Sequence, residues 1–243
     1  IQAPITVRRV NHFLAALCAL NDQTLTDLFS QCGLADCLTL VAVGGYGRGQ
    51  LYPYSDVDVL VLMPSDVALE RDDALRGQVE RFISLCWDAG MEVGSSVRTI
   101  EECLQESAKD VTVQTSLLEA RWVCGPKALF AQFQKRYAQA MDAQAFFVAK
   151  TLEMRQRHEK YEDTPYALET NSKESPGGLR DLQVVMWVAR AARLGKTWAE
   201  LAAKGLITPF EVKQLQRNEG ILKLIRCRLH LVAGRREDRL VFD

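Results

Sequence analysis

Two aspartates separated by one residue, Asp56 and Asp58, stand at the start of a strongly apolar run that ends at Met63. Because side chains alternate across a β-strand, both carboxylates are expected on the same face of the strand. Two like charges held this close are unfavourable unless water or a divalent cation surrounds them. Carboxylates at this spacing suit Mg²⁺ or Mn²⁺, which share their coordination between protein oxygens and substrate phosphates. The pair therefore predicts a metal site for phosphate chemistry.

A glycine pair, Gly44 and Gly45, follows a short apolar run over residues 39–43. Glycine lets backbone N–H groups approach a polyanion, and a helix beginning here would add its own free N–H groups. A Gly-Gly turn alone is a weak indication, since most such pairs only turn the chain. With the acid pair following it, we interpret Gly44 and Gly45 as a phosphate cradle. One strand then delivers the cradle and its neighbour the metal ligands, which suits in-line attack on the α-phosphorus of an NTP.

The elements that must position these residues are predicted from the spacing of apolar side chains. The pattern predicts two helices between residues 7 and 35, interrupted near Asn21 and Asp22. It then predicts three strands and one helix, over 39–43, 57–63, 91–99 and, for the helix, 67–88. After Ile100 the strand signals disappear, and helices are predicted over 111–123, 127–140, 143–161, 179–194 and 208–232. The stretch 162–178 is a long loop, a kind of segment that is usually functional or disordered.

We therefore expect an α+β fold with two domains. Residues 1–108 would form a small mixed β-sheet core with flanking helices, and residues 109–243 an all-α helical domain. The 243 residues are 48% hydrophobic, which is enough to bury a core for either one large or two modest domains. The chain starts at Ile1 and ends in R-L-V-F-D, so we expect it to be part of a longer protein.

Charge and cysteine content exclude several classes of protein. The chain has 30 Lys and Arg residues and 31 Asp and Glu residues. Its net charge therefore provides no overall electrostatic attraction for nucleic acid. The seven cysteines form no C-x-x-C pair, which is typical of buried thiols in a reducing compartment. No apolar run approaches the roughly 20 residues of a membrane span, and no secretory signal opens the chain. We expect a cytoplasmic protein that binds neither membrane nor nucleic acid.

The segment G-G-Y-G-R-G-Q-L-Y-P-Y-S-D-V-D, residues 44–58, resembles the signature of the DNA polymerase beta-type nucleotidyltransferase superfamily. Within that superfamily it closely resembles the bifunctional uridylyltransferase/uridylyl-removing enzymes, which modify the PII nitrogen-signalling protein. Three further blocks resemble that family: E-V-G-S-S-V-R-T at 92–99, S-P-G-G-L-R-D-L-Q at 175–183 and R-L-V-F-D at 239–243. The likeness covers nearly the whole chain and implies a polymerase beta-like core.

The resemblance implies a role for each residue of the signature. Asp56 and Asp58 would bind the metals that bridge to the nucleotide phosphates. Gly44 and Gly45 would cradle those phosphates. Arg48 would neutralise charge that develops on the leaving diphosphate.

Two more roles follow from the resemblance. Ser55 would donate a hydroxyl hydrogen bond or cap the approach to the strand. The superfamily commonly adds a third carboxylate, which acts as a metal ligand or as the base that activates the acceptor hydroxyl. Glu92 is the candidate for it, with Asp88 in reserve, although Glu92 is as readily interpreted as a solvent-exposed strand residue.

Lys173 and Arg180 are candidate nucleotide-binding residues, because they flank the start of the helix predicted after the Gly-Gly pair at 177–178. A free helix N-terminus with two cations nearby would attract a triphosphate. Lys173 is equally interpretable as an ordinary loop lysine, and Arg180 as a first-turn charge. For Asp181, a favourable charge in the first helical turn is the preferred interpretation.

The three histidines, His12, His158 and His230, are isolated in helical patterns. We expect them to be structural or surface residues, with no His–Asp dyad in the chain. The metal-dependent HD domain and the regulatory domains of the family resembled would then lie outside it. Basic residues interleave with apolar ones late in the chain and are predicted to form the solvated face of an amphipathic helix: Lys213, Arg217, Lys223, Arg226 and Arg228.

The hypothesis that these observations favour is transfer of UMP from UTP to a tyrosine of PII, with release of diphosphate and with glutamine as a regulator through domains outside this chain. The acceptor and the base come only from the resemblance. Two alternatives stay open. One is adenylyl transfer to another protein or a small molecule, and the other is a catalytically silent nucleotide-binding sensor, which a missing third carboxylate would favour.

Overall fold

The computed structural model describes residues 5–67, 72–161 and 168–240. The chain divides into two compact units. The sheet unit comprises Leu14–Leu51 and Ser55–Ala140, and the second unit comprises Ile1–Phe13, Tyr52–Tyr54 and Met141–Asp243.

The sheet unit is built on a four-stranded mixed sheet in the order β3-β2-β1-β4. The strands are β1 Thr39–Ala42, β2 Val57–Met63, β3 Val93–Thr99 and β4 Arg121–Cys124. β1 pairs antiparallel with β2 and β4, whereas β2 pairs parallel with β3. A mixed sheet among helices confirms the predicted mixed α/β class, and β2 has the bounds that the sequence predicts.

Helices cover the sheet and supply its core. They are α1 Val10–Gln31, α2 Gly44–Gly47, α3 Asp73–Asp88, α4 Ile100–Lys109, α5 Val111–Leu118 and α6 Lys127–Ala140. Phe29 of α1 and Phe82 of α3, both fully buried, meet edge to face with ring centroids 5.1 Å apart. They join the cluster that includes Val57, Val59 and Val61, the face of β2 opposite its aspartates. Burial of these apolar faces stabilises the sheet and fixes which way the aspartates point.

The prediction of two helices before β1 is wrong, because α1 is continuous. Asn21 and Asp22, which were expected to interrupt it, have partners that keep them in the helix. The Asn21 amide donates to the Leu17 carbonyl oxygen at 2.8 Å, and the Asp22 carboxylate accepts from Arg121 and from the Tyr46 hydroxyl. Polar residues with partners elsewhere in the unit do not end a helix.

The helix predicted over residues 111–123 is also wrong beyond Leu118. Residues 121–124 form β4, which pairs Ala42 with Arg121 and Leu40 with Cys124. Four residues are too few to show a strand period, and their apolar members continued the helical pattern. Because β4 and α6 belong with the sheet, the unit extends to Ala140 and differs from the boundary predicted between 108 and 109.

The described part of the second unit contains four helices after Met141: α7 Ala143–Lys160, α8 Leu179–Ala191, α9 Trp198–Ala203 and α10 Pro209–Ala233. α10 begins with a capping box between Thr208 and Glu211 and ends at Gly234, whose φ of 63° is left-handed. The predicted long loop lies partly outside the described residues, and its later part contains a bridge between Asn171 and Arg239. No helix among the described residues is long and apolar enough to cross a bilayer.

The predicted solvated basic face of α10 is wrong for two of its residues. Lys223 and Arg226 are only 5% and 6% exposed, and each contacts an acid. The Lys223 ammonium lies 2.7 Å from Glu219, and Arg226 Nε lies 2.6 Å from Asp238. The other three basic positions are exposed, as predicted: Lys213, Arg217 and Arg228.

Two His–Asp pairs exist in space, although the sequence analysis expected none. His158 Nε2 lies 3.0 Å from Asp181, and buried His230 Nε2 lies 3.1 Å from Asp238. Pattern analysis missed them because neither pair has a spacing typical of a motif. Within residues 5–67, 72–161 and 168–240, no group of three or more His, Cys, Asp or Glu side chains forms a metal cluster.

Replacing Asp238 by asparagine is expected to destabilise the protein at neutral pH. Burial alone would raise the pKa of Asp238, but the hydrogen bond from His230 and the charge of Arg226 outweigh burial and hold it well below its usual value. A depressed folded pKa stabilises above the unfolded pKa of about 4, and that stabilisation is lost as the pH falls toward the folded pKa. Breaking such a pair costs about 3 kcal/mol or more, since Arg226 stays buried without a counter-charge.

Thermal unfolding of the Asp238→Asn variant and of the parent measures this effect. The pH range from about 3 to about 7 is chosen because it includes the unfolded pKa of about 4. The difference between the unfolding temperatures of the two proteins should be largest at neutral pH, and it should become smaller below a pH of about 4. The control is Asp73→Asn, whose ion pair with Arg76 is exposed and should contribute little. Equal midpoints for Asp238→Asn and parent at neutral pH would contradict the assignment.

Candidate active site

The glycine turn and the acid pair lie side by side at one end of the sheet. β1 and β2 are antiparallel, so the end of β1 lies beside the start of β2. The Val43 amide donates to the Asp58 carbonyl oxygen at 3.0 Å, and α2 begins at the next residue, Gly44. The arrangement follows from the hairpin register, in which Ala42 pairs with Val59.

The Asp58 carboxylate lies against the backbone of two glycines. A Cβ added at Gly94, on the neighbouring strand β3, would lie 2.7 Å from Asp58 Oδ1. One added at Gly44, whose φ is 57°, would lie 3.3 Å from Oδ2. A side chain at position 94 would displace this carboxylate, so glycine is required there. Glycine at position 44 avoids a close contact and also adopts the left-handed conformation without strain.

Binding of a divalent cation by Asp56 and Asp58 stays a prediction. Asp58 is half-buried on the face of β2 opposite Val57, and Asp56 is exposed and directly precedes the strand. A cation such as Mg²⁺ is commonly bound by one or two carboxylates together with phosphates and water. Among the described residues, no group of three or more His, Cys, Asp or Glu side chains that could hold a metal occurs. Ser55, half-buried, immediately precedes the pair.

Glu92 lies beside the start of β2. Its carbonyl oxygen accepts the Val57 amide at 2.9 Å, and the parallel register continues with Val57 beside Val93. The Glu92 side chain is exposed. Its role as third carboxylate stays a prediction, as does that of Asp88, the exposed last residue of α3.

Arg48 has a protein partner next to the glycine turn. Its guanidinium forms an ion pair with Glu119, whose side chain is 2% exposed, and its Nε donates to Gln50 Oε1 at 3.0 Å. Contact between Arg48 and a diphosphate stays a prediction. Sequence reasoning missed Glu119, which lies in a predicted helix and carries no local sign of its partner 71 residues away.

Lys173 and Arg180 belong to the second unit, and both contact Glu174. The Lys173 ammonium is 3.3 Å from Glu174, and Arg180 Nη2 is 3.0 Å from it. Burial, followed by the charges of Arg180 and Arg226, lowers the pKa of Lys173, while Glu174 opposes this shift. The predicted nucleotide-binding residues therefore belong to two groups. Lys173 and Arg180 lie together in the second unit, and the others belong to the sheet unit: Gly44, Gly45, Arg48 and Ser55.

Asp181 occupies the first turn of α8, as the sequence predicts, and accepts the Gly177 amide at 2.7 Å. It also contacts His158 and Arg157. Burial would raise the pKa of Asp181, but the hydrogen bonds from Arg157, His158 and Gly177 lower it. The block at 175–183 thus forms a compact, hydrogen-bonded start to the helix.

Two family models match the chain. Residues 36–121 match the nucleotidyltransferase domain, and residues 145–243 match the GlnD PII-uridylyltransferase. The chain is 58% identical to a protein of Burkholderia orbicola over 234 residues, and 57% identical to one of Burkholderia thailandensis over 238 residues. These matches cover 96% and 98% of this chain, and both relatives are named bifunctional uridylyltransferase/uridylyl-removing enzyme. The chain spans 27% of the length of each.

Proposed function

Because this chain belongs to the family of bifunctional uridylyltransferase/uridylyl-removing enzymes, we propose that it transfers UMP from UTP to a tyrosine hydroxyl of the PII protein and releases diphosphate. The single observation that supports this best is the placement of Asp58. Its carboxylate lies between Gly44 of the glycine turn and Gly94 of the next strand, at the head of β2. A carboxylate beside a glycine turn supports the proposal, because such a group can bind a divalent cation and such a turn can bind phosphate.

Asp56 and Asp58 are proposed to hold Mg²⁺ or Mn²⁺. When bound, the cation would neutralise phosphate charge and polarise the reacting phosphoryl group. Asp58 lies on β2 and Asp56 directly precedes that strand. Carboxylates anchored to a strand in this way would hold the cation, and with it the nucleotide phosphates, in a restricted position. Restricting the reactants in this way is a large part of the catalysis of phosphoryl transfer.

The other signature residues are proposed to act on the phosphates. Gly44 and Gly45 present backbone N–H groups, and Ser55 adds a hydroxyl hydrogen bond. Arg48, held by Glu119, would stabilise charge on the leaving diphosphate. Glu92 is proposed to accept the proton of the attacking tyrosine or to serve as a third ligand.

We also propose a polymerase beta-like fold for the sheet core and an all-α domain for the second unit. Lys173 and Arg180 are proposed to bind nucleotide phosphates, and Glu174, which contacts both, sets how they are presented. PII is the proposed acceptor. Glutamine is proposed to regulate the reaction through domains that this chain does not include.

The test is label transfer with the full-length protein. The protein, PII and Mg²⁺ are incubated with UTP or with ATP, each labelled at the α-phosphate. Labelled PII is counted, and the unlabelled diphosphate that is released is measured separately. We expect label from UTP to reach PII, and a PII variant with phenylalanine at the acceptor tyrosine to stay unlabelled. Preferred transfer from ATP would instead establish adenylyl transfer, and UTP binding without diphosphate release would establish a silent sensor.

A further inference from the structure

The connection between α5 and β4, residues 119–120, and the first residue of β4 lie at the sheet end that carries the glycine turn. Leu118 ends α5, and Arg121 begins β4 opposite Ala42, the last residue of β1. α2 follows β1 after one residue and packs against α5. Neither Glu119 nor Arg121 belongs to the signature, yet both of their side chains reach α2 or the residue that ends it.

Glu119 makes the first of these contacts. Its carboxylate, 2% exposed, forms an ion pair with the Arg48 guanidinium at the C-terminal end of α2. Arg48 is itself only 18% exposed, and its Nε donates to Gln50. Since a buried carboxylate needs a fixed counter-charge, this pair holds the end of α2 against the connection.

Arg121 makes the second contact, at the middle of α2. Its guanidinium donates two hydrogen bonds to the Asp22 carboxylate, at 2.7 and 3.0 Å, and a third to the Tyr46 carbonyl oxygen at 3.4 Å. It also lies over the Tyr46 ring, 5.2 Å from the centroid. The buried Tyr46 hydroxyl donates to the same Asp22 carboxylate, so Arg121, Asp22 and Tyr46 each contact the other two.

Gly47 shows how closely α2 lies on the connection. A Cβ added there would be 2.4 Å from the Glu119 carbonyl oxygen and 2.7 Å from that of Ala42. Real Cβ atoms do not approach backbone atoms this closely. The backbone of α2 is therefore held on two sides, by the connection and by β1.

We propose that Glu119 and Arg121 are positioning residues for nucleotidyl transfer, which hold the glycine turn in a fixed place relative to Asp58. The inference rests on the proposed function for its catalytic consequence. Neither residue needs to touch the nucleotide. Through Arg48 and Tyr46 they fix the backbone that follows Gly44 and Gly45, and so the N–H groups that would meet the phosphates.

The expected effect is on turnover more than on nucleotide affinity. Arg121→Lys keeps the charge but loses the planar fork that binds Asp22 bidentately. A displacement of about 1 Å in a positioning group lowers turnover about 100-fold. We therefore expect kcat to fall about 100-fold in Arg121→Lys, while KM for UTP changes by less than about threefold. Glu119→Gln, which removes the negative charge that pairs with Arg48, should shift the same two constants in the same way.

The experiment compares these two variants with the parent and with a matched control in the full-length protein. The control is Arg136→Lys, which makes the same change in an ion pair with Glu101 that joins α6 to α4. Two quantities are measured: kcat and KM for UMP transfer, and hydrogen exchange of backbone amides over residues 44–50 with Mg²⁺ and UTP. We expect both variants, but not the control, to lose turnover and to exchange faster over 44–50, with the sheet amides unchanged.

The outcomes separate the two proposals. If the parent transfers no UMP while the variants still exchange faster over 44–50, the proposed function fails, although Glu119 and Arg121 do hold the glycine turn in place. If the parent transfers UMP and both variants match it in turnover and exchange, the positioning role is wrong. If one variant does not fold, the other carries the test. A loss that follows the folded fraction alone, with exchange faster throughout the sheet, would also overturn the positioning role.

Discussion

The Asp58→Asn variant is expected to transfer UMP at least about 1000-fold more slowly than the parent, because metal-assisted charge stabilisation is worth several kcal/mol and about 4 kcal/mol corresponds to that factor. The amide has the shape of the carboxylate but lacks its charge. The backbone contact with Val43 uses the Asp58 carbonyl oxygen and is unaffected. The fold should therefore survive while the cation affinity is lost. Asp56→Asn should act in the same direction.

Steady-state transfer of label from UTP to PII, over a range of Mg²⁺ concentrations, measures this effect. Asp66→Asn is the matched control, since it removes an exposed carboxylate just beyond the other end of β2. It should behave as the parent does. Transfer by Asp58→Asn at the parent rate, with circular dichroism showing the same folded fraction, would rule out the role that we assign to the acid pair.

The Gly94→Ala variant is expected to lose about 100-fold in turnover, the effect of misplacing a catalytic group by about 1 Å. The added methyl carbon would lie 2.7 Å from Asp58 Oδ1, closer than van der Waals contact allows. The carboxylate ends a short side chain that can rotate, so we expect it to turn aside while the strand stays folded. Stability should change little, whereas the carboxylate leaves the position in which it holds the cation.

Gly77→Ala is the control for this substitution. Gly77 lies exposed in α3, and a Cβ there meets nothing within 4 Å. Alanine should raise the free energy of unfolding by about 0.5 to 1 kcal/mol and leave turnover unchanged. Measuring kcat and the thermal midpoint for both variants separates a local effect from a global one. Full turnover in Gly94→Ala would show that contact with Gly94 does not set the Asp58 carboxylate.

Local patterns predicted the elements with strong, uninterrupted periods. β2 is a run of seven apolar or acidic residues and was predicted over Val57–Met63, and α6 was predicted over Lys127–Ala140. The same patterns failed at β4, where four residues show no period. They failed also at α1, where Asn21 and Asp22 find partners that a pattern does not display. Periodicity reports what a segment buries, and it reports poorly on where single polar groups bond.

Sequence also indicated which residues to consider at the candidate site, but not how they are held. The hairpin between β1 and β2 brings Gly44 beside Asp58, as the spacing suggests. The position of Gly94 under that carboxylate depends on the β2–β3 register, which joins residues 36 apart in the chain. Asp22 and Arg121 are 99 residues apart. Contacts between distant residues follow from the tertiary fold, and local spacing carries no sign of them.

The membership of Tyr52–Tyr54 in the second unit matters for anyone who divides this protein genetically. The Tyr52 ring lies 4.1 Å from the Arg226 guanidinium carbon, and the Pro53 carbonyl contacts the His230 ring. A gene fragment that encodes only residues 14–140 would retain these three residues and discard both partners. Truncation at Ala140 therefore does not excise a self-sufficient module, and inactivity of such a truncated product would say nothing about the chemistry of the intact chain.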